Sequence, residues 1–261
     1  MFEDVRHNIQ IIYRDRIPYI KRSFNNKNST TLTKEYLIES NIGHLLICPK
    51  TFNLSQSFYL EEYINKKNLI LSKKNIVKIA QKLSLLHNIK PTLIPSNLLA
   101  LLKNHYVNKT KQNINYLSLI KAILRKISSM TTRNKFNGVL SFVKEFSSNP
   151  YQASDLCLIH GDLNKNNILL SKSGDIKLID WSDSRIDEPE ADIAQFFYHF
   201  NLTSKQKKIF TNAYTHCDLN QGILLIRHQL LLLYDIVQTW LLTNSIDMDK
   251  FNKINSILEK Q

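Results

Sequence analysis

The chain of 261 residues is 43% hydrophobic and 22% charged, enough apolar material for one generous core or two small ones in an ordinary globular protein. Cys48, Cys157 and Cys217 are odd in number and far apart, which argues against a disulfide framework or a cysteine metal centre and fits a reducing compartment. A formal net charge of +13 raises nucleic acid, acidic lipid or a phosphorylated ligand as partners, but Lys, Asn and Ile are abundant throughout, so the distribution of charge is more informative than its total.

The first residues, Met1-Phe2-Glu3-Asp4, carry acids and lack the apolar centre of a signal peptide. Residues 9–13 and 17–23, rich in β-branched and aromatic side chains and joined across Arg14-Asp15-Arg16, read as two strands. Thr33 is placed to cap a helix that runs through Lys34 and Glu35 to about Ile42. Residues 45–47 and 58–63 read as further strands and complete a small α+β lobe over residues 1–64.

Ser72 is placed to cap the next helix, in which Ile76, Ile79, Ala80, Leu83 and Leu86 recur with the 3.6 period. Pro91 and Pro95 mark a loop, and residues 98–107, 114–127 and 136–146 read as helices. These helices carry a basic excess: residues 101–150 hold nine Lys/Arg against the single acid Glu145, which reads as a solvated face in preference to a nucleic-acid surface. Residues 151–200 reverse the balance, with four Lys/Arg against nine acids. Here an apolar run, 155–160, is followed by strands 168–170 and 176–179 around the turn Ser171-Lys172-Ser173-Gly174-Asp175. From about Asp192 the chain reads as helical to its end, giving a mainly helical second lobe over residues 65–261. Its apolar stretch 224–242 is broken by Arg227, His228, Asp235 and Gln238, so a buried helix is expected in place of a membrane span, and a cytoplasmic protein overall. Tyr234 and Trp240 read as core residues or, alternatively, as an aromatic cage for a quaternary ammonium.

The acidic segment carries the chemistry. Phosphoryl transfer asks a protein mainly for positioning: a carboxylate to orient the acceptor hydroxyl and take its proton, and hard oxygen ligands for Mg²⁺, which takes only one or two from protein. Asp162 sits on a loop straight after an apolar strand, Asn167 follows five residues later at the start of the next strand, and Asp180 ends the strand after that. A loop followed by a β-hairpin brings three such side chains to one mouth.

His160-Gly161-Asp162, Asn167, Ile179-Asp180-Trp181 and Asp192-Ile193-Ala194, with Pro189 shortly before the last, stand in the order and spacing of a known pattern. The segment resembles the aminoglycoside phosphotransferase and choline kinase superfamily, relatives of the protein kinases. The resemblance implies a two-lobed, protein-kinase-like α+β fold with a reduced N-lobe and a mainly helical C-lobe. It implies Asp162 as the catalytic carboxylate, Asn167 and Asp180 as Mg²⁺ ligands, and His160 and Asp192 as braces of the catalytic loop. Upstream, Lys21 falls on a strand where the family carries a cation for the ATP phosphates, with Arg22 as the alternative, and Glu35 would be its ion-pair partner. Residues 58–63 resemble the hinge, whose backbone at Glu61, Glu62 and Tyr63 would meet adenine, and Leu86-His87 matches a structural pair. The activity implied is an ATP- and Mg²⁺-dependent transfer to the hydroxyl of a small molecule such as choline, ethanolamine, thiamine or an aminoglycoside.

The pattern departs from its relatives in one place. Kinase relatives carry a glycine-bearing loop over the phosphates, yet this chain has five glycines and the first is Gly43. Either a glycine-bearing segment upstream of Met1 is expected to cover the phosphates, or residues 2–8, with side chains such as Arg6, do so in its stead. The same departure motivates the rival expectation of a non-catalytic nucleotide-binding module. Ser182 follows Trp181, and Asp183 comes next as a further acid near the metal position.

Overall fold

The structure is a computed structural model, and it describes residues 8–23, 29–52, 55, 57–102, 156–243, 247–250 and 252. Its residues fall into two compact units, Met1–His105 with Asp155–Leu219, and Tyr106–Ser154 with Asn220–Gln261. The expected lobe boundary at residue 64 falls inside the first unit. The expected basic helices, apart from helical residues 98–102, lie outside the described residues, as do the side chains of Tyr234 and Trp240 and the expected phosphate cover at residues 2–7.

The first unit begins with strands β1 (Asn8–Arg14) and β2 (Ile17–Ser23), paired antiparallel with Arg14 opposite Ile17. Asp15 and Arg16 close the two-residue hairpin with φ of 50° and 65°, the left-handed backbone that matches strand twist in tight hairpins. Helix α1 (Ser29–Ile42) starts five residues earlier than a cap at Thr33 implies. It buries Leu32, Ile38 and Ile42. Residues 45–47 do not form the expected strand. Gly43–Leu45 is a turn of 3₁₀ helix, and Leu46 at φ 56° caps it by donating its N–H to the Gly43 carbonyl. The apolar pattern there reflects burial alone: Ile47 and Cys48 are buried, and the Ile47 carbonyl accepts from Leu178 N at 2.8 Å.

Strands β3 (Thr51–Phe52) and β4 (Phe58–Glu62) complete a four-stranded antiparallel sheet in the order β1-β2-β4-β3. A two-residue strand, β5 (Lys66–Lys67), leads to helix α2 (Lys73–His87), which Ser72 caps by accepting from Asn75 N. The five positions with helical spacing, Ile76, Ile79, Ala80, Leu83 and Leu86, are all fully buried.

Strand β6 (Cys157–Ile159) pairs with β9 (Arg185–Asp187), a short strand that the sequence pattern did not announce. Between them lies the hairpin of β7 (Ile168–Ser171) and β8 (Ile176–Leu178), which β5 extends to three strands. Helix α3 (Pro189–His199) opens with Pro at its first turn, where a missing N–H costs nothing, and helix α4 (Ser204–Ala213) opens with a capping box from Thr203 and Gln206. Phe196 and Phe210 join α3 to α4 with ring centroids 5.4 Å apart, and both are fully buried. The second unit contributes helix α5 (Gln221–Thr243). Among the described residues, no helix is long and apolar enough to cross a membrane.

Candidate active site

The loop from His160 to Asn167 joins β6 to β7, and its shape is imposed by α3. Asp192 is fully buried, and its carboxylate accepts from His160 N and Gly161 N, each at 2.8 Å. A third bond comes from His87 Nε2 at 3.1 Å, while Tyr214 Oη lies 2.8 Å from His87 Nδ1. Burial by itself would raise the Asp192 pKa, but the His87 bond and the nearby His87 and His160 more than offset it, so the group is held below the usual carboxylate range.

Gln195, one turn further along α3, works on the same loop. Its Oε1 accepts from Leu163 N at 3.0 Å, and its Nε2 donates to Gly161 O at 2.7 Å. Asp192 and Gln195 therefore hold four backbone groups of the loop. Gln195 carried no signal that singled it out, although it stands three residues after Asp192 and so on the same helical face.

His160 is fully buried against Trp181, with ring centroids 4.6 Å apart. The Asp162 amide points at His160 Nδ1 at 3.3 Å, so Nδ1 accepts and Nε2–H donates to Ile179 O at 2.9 Å. Burial lowers the His160 pKa, which suits this neutral tautomer. Gly161 adopts φ 87°, and a Cβ there would run into the Asp183 carbonyl oxygen and Arg185 Nη1. Glycine is required at this position by both backbone shape and close approach.

Asp162 and Asn167 meet directly. Asn167 Nδ2 donates to both the carbonyl and the Oδ2 of Asp162, each at 2.9 Å, and Asn164 Nδ2 donates to the same Oδ2 at 2.9 Å. With both bonds made from its amide nitrogen, Asn167 keeps Oδ1 as an oxygen donor for another partner. The β7–β8 register pairs Ile168 with Leu178, and Ile179 N donates to Asn167 O at 3.0 Å, which sets Asp180 one residue beyond the partner of Asn167. Asp180 itself is turned by a left-handed φ of 64°, and its Oδ1 accepts from Ser182 Oγ at 2.8 Å. Asp183 stands within the electrostatic reach of both. Burial raises its pKa, Asp162 and Asp180 add to the rise, and Arg185 and Lys34 oppose it.

These residues suit a magnesium ion. Asn167 Oδ1 and Asp180 are hard oxygen donors, and the mutual repulsion of Asp162, Asp180 and Asp183 is what a dication relieves. No group of three His, Cys, Asp or Glu with metal-holding geometry occurs among the described residues. Mg²⁺ does not need one, since water and phosphate oxygens complete its shell.

On the sheet side the cation differs from the one expected first. Lys21 turns to the other face of β2, with Nζ 4.8 Å over the Phe58 ring. Arg22 is the buried cation: Nε meets Glu61 Oε2 at 2.5 Å, and Nη1 lies 3.7 Å from Glu35 Oε2. Strand alternation decides this. Residues 17, 19 and 21 share one face and 18, 20 and 22 the other, but both rows are apolar apart from their last member, so the sequence gives no parity. Burial raises the Glu35 pKa to about 7, with Arg22 opposing and Asp180 and Glu61 adding to the rise. Glu39, one helical turn along, is pushed well up by burial and by Glu61.

The three hinge positions separate. Glu61 sends its side chain into this buried cluster, and its backbone sits between Ile20 and Thr51 in the sheet. Glu62 donates its N–H to Lys50 O at 2.8 Å, and its Oε2 accepts from Lys50 N at 3.2 Å. Tyr63 lies just beyond the strand and is 37% exposed.

The sequence model of the choline/ethanolamine kinase family matches residues 11–230 of the chain. The chain belongs to that family. Its fold is that of the kinase-like small-molecule phosphotransferases. The choline kinase LicA from Streptococcus pneumoniae aligns over 100% of this chain and 92% of its own, with 18% identity and a TM-score of 0.65. A Plasmodium vivax ethanolamine kinase aligns over 98% and 82%, with 20% identity and a TM-score of 0.57. A spectinomycin phosphotransferase bound to AMP aligns over 95% and 89%, with 14% identity and a TM-score of 0.63. No curated protein matches the sequence. Family and fold together mark the chain as a small-molecule kinase.

Proposed function

We propose that the chain transfers the γ-phosphoryl group of ATP to the hydroxyl of a small amino alcohol of the choline or ethanolamine type. The observation that carries this reading is the direct bonding of Asp162 to Asn167, with Asp180 set beside them by the hairpin register. Family membership supports the choice of acceptor over thiamine or an aminoglycoside. Scarcity of acid supports it too, since beyond Asn201 the sequence has only Asp218, Asp235, Asp247, Asp249 and Glu259, few for a polycationic drug.

In this mechanism Asp162 orients the acceptor hydroxyl and receives its proton at Oδ1, while Oδ2 is held by Asn164 and Asn167. Asn167 Oδ1 and Asp180 would hold Mg²⁺, which when bound neutralises charge on the phosphate oxygens. Arg22, steadied by Glu35 and Glu61, faces the triphosphate as the fixed cation. Tyr63, just past the sheet, supplies the hinge contact to adenine. His160, Asp192 and Gln195 touch no substrate and keep the loop in shape.

The test is ADP release on a panel of choline, ethanolamine, thiamine and an aminoglycoside, run on the wild-type chain and on Asp162→Asn. The expected result is turnover of an amino alcohol that falls by about 10²–10⁴-fold in the variant, the usual worth of a positioned base. Undiminished turnover in Asp162→Asn overturns the assignment. Binding of Mg·ATP without turnover of any alcohol would favour the non-catalytic module.

A further inference from the structure

One buried charge close to the site has no part in the proposed mechanism. Lys34 lies on α1 immediately before Glu35 and is 6% exposed. Its Nζ donates to the carbonyl oxygen of Ser182 and, at 3.4 Å, to that of Ser184. The other carbonyls of this turn are held as well. Trp181 O accepts from Ser184 N at 3.1 Å, and Asp183 O accepts from Arg185 Nη1 at 3.1 Å. Ser184 Oγ then donates to His160 O at 3.1 Å, fastening the turn to the catalytic loop. The turn begins at Asp180, whose backbone is left-handed at φ 64° and whose Oδ1 accepts from Ser182 Oγ at 2.8 Å.

A buried ammonium is a costly way to fill space, and methionine would pack there without desolvating a charge. Lys34 bears this cost visibly. Burial draws its pKa down to about 8, with Asp183, Glu35 and Asp180 favouring the charge and Arg185 opposing it. What lysine adds over methionine is the capture of two carbonyls across the site. Two consecutive residues of one helix thus reach in two directions: Glu35 to Arg22 and Lys34 to the turn after Asp180.

We propose that Lys34 is a positioning residue for phosphoryl transfer: by tying α1 to the Ser182 and Ser184 carbonyls, it fixes the angle at which Asp180 is presented. This rests on the proposed function, in which Asp180 is a metal ligand. Lys34 touches neither nucleotide nor acceptor and acts through the turn.

The experiment compares wild type with Lys34→Met, which keeps the volume and removes the donors, and with Lys34→Arg, which keeps donors and charge. Two readouts do not require turnover. The first is hydrogen exchange of the amides of residues 181–184 in the ligand-free protein. The second is the affinity for ADP measured with and without Mg²⁺. In Lys34→Met the exchange is expected to quicken by about tenfold or more, as a local opening becomes easier. The enhancement of ADP binding by Mg²⁺ should shrink toward one while metal-free ADP affinity holds, and Lys34→Arg should restore part of both. If Lys34→Met does not fold, Lys34→Gln carries the same two measurements with one donor kept. Wild-type exchange together with wild-type Mg²⁺ enhancement in a folded variant overturns the proposal. Wild-type protein that binds Mg·ADP yet phosphorylates no alcohol sinks the phosphotransferase reading instead, and the role of Lys34 is still judged by exchange and binding.

Discussion

Replacing Asp192 by asparagine isolates the physical claim on which the shape of the His160–Asn167 loop depends. The carboxylate accepts three hydrogen bonds, from two backbone amides at 2.8 Å and from His87 at 3.1 Å, and has no solvent to replace them. An amide of equal size keeps one oxygen and turns an NH₂ toward a donor. One charge-assisted bond is lost outright and a buried N–H faces another N–H. At roughly 1–3 kcal/mol for each, the variant should be less stable by about 2–6 kcal/mol at pH 7. Alanine would strand all three donors and remove a large part of the roughly 5–15 kcal/mol a domain has in total, so asparagine is the informative change. The assay is urea unfolding of both proteins across pH. Because the folded-state pKa of Asp192 lies below its ordinary value, its contribution is present above that ordinary value and is lost as pH falls through the folded one. The gap between wild type and variant should therefore narrow below about pH 4. A gap under about 1 kcal/mol at pH 7, or one that stays constant into acid, would refute the reasoning.

Gly161→Ala places a Cβ against the Asp183 carbonyl oxygen and Arg185 Nη1 on a left-handed backbone. We expect a loss of about 2 kcal/mol or more, seen as a drop in Tm of about 5 °C or more, and an unchanged melt would count against the packing described. Arg22→Met and Lys21→Met separate the two adjacent cations. ADP affinity should fall by about tenfold in the first and stay within about twofold in the second, about the worth of one charge-assisted bond. The reverse result returns the phosphate contact to Lys21.

How much of this was legible in the sequence depends on the kind of signal each residue leaves. Helix α2 was readable because five apolar positions repeat with helical spacing and all five are buried. The meeting of Asp162 with Asn167 next to the hairpin was readable because Asp162, Asn167 and Asp180 sit at turn and strand boundaries that fix their spacing. The choice between Lys21 and Arg22 was not, because a strand with apolar residues on both faces hides which row points inward. Residues 45–47 carry the composition of a strand, but Leu46 in a left-handed conformation ends any run, and composition does not announce a backbone angle. Gln195 and Lys34 leave the faintest trace of all. Each acts by binding main-chain atoms far away in sequence, and a main-chain partner has no residue identity to betray it.

Asn167 is the joint between two frames. Asp162 is carried by a loop whose amides and carbonyl are gripped by α3, whereas Asp180 is carried by a hairpin and a turn whose carbonyls are gripped from α1. Asn167 bonds to the first frame through Nδ2 and to the second through its own carbonyl, which accepts from Ile179 N at 3.0 Å. An amide is suited to this place for a chemical reason. Aspartate would set a second carboxylate 2.9 Å from Asp162 Oδ2, and two like charges at that distance cannot both stay ionised, so one would take up a proton. Asparagine instead donates to Asp162 and still offers an oxygen on its other side. In the proposed mechanism this leaves the Asp162 carboxylate to take the proton of the acceptor hydroxyl and the Asn167 oxygen as the atom that would meet the cation.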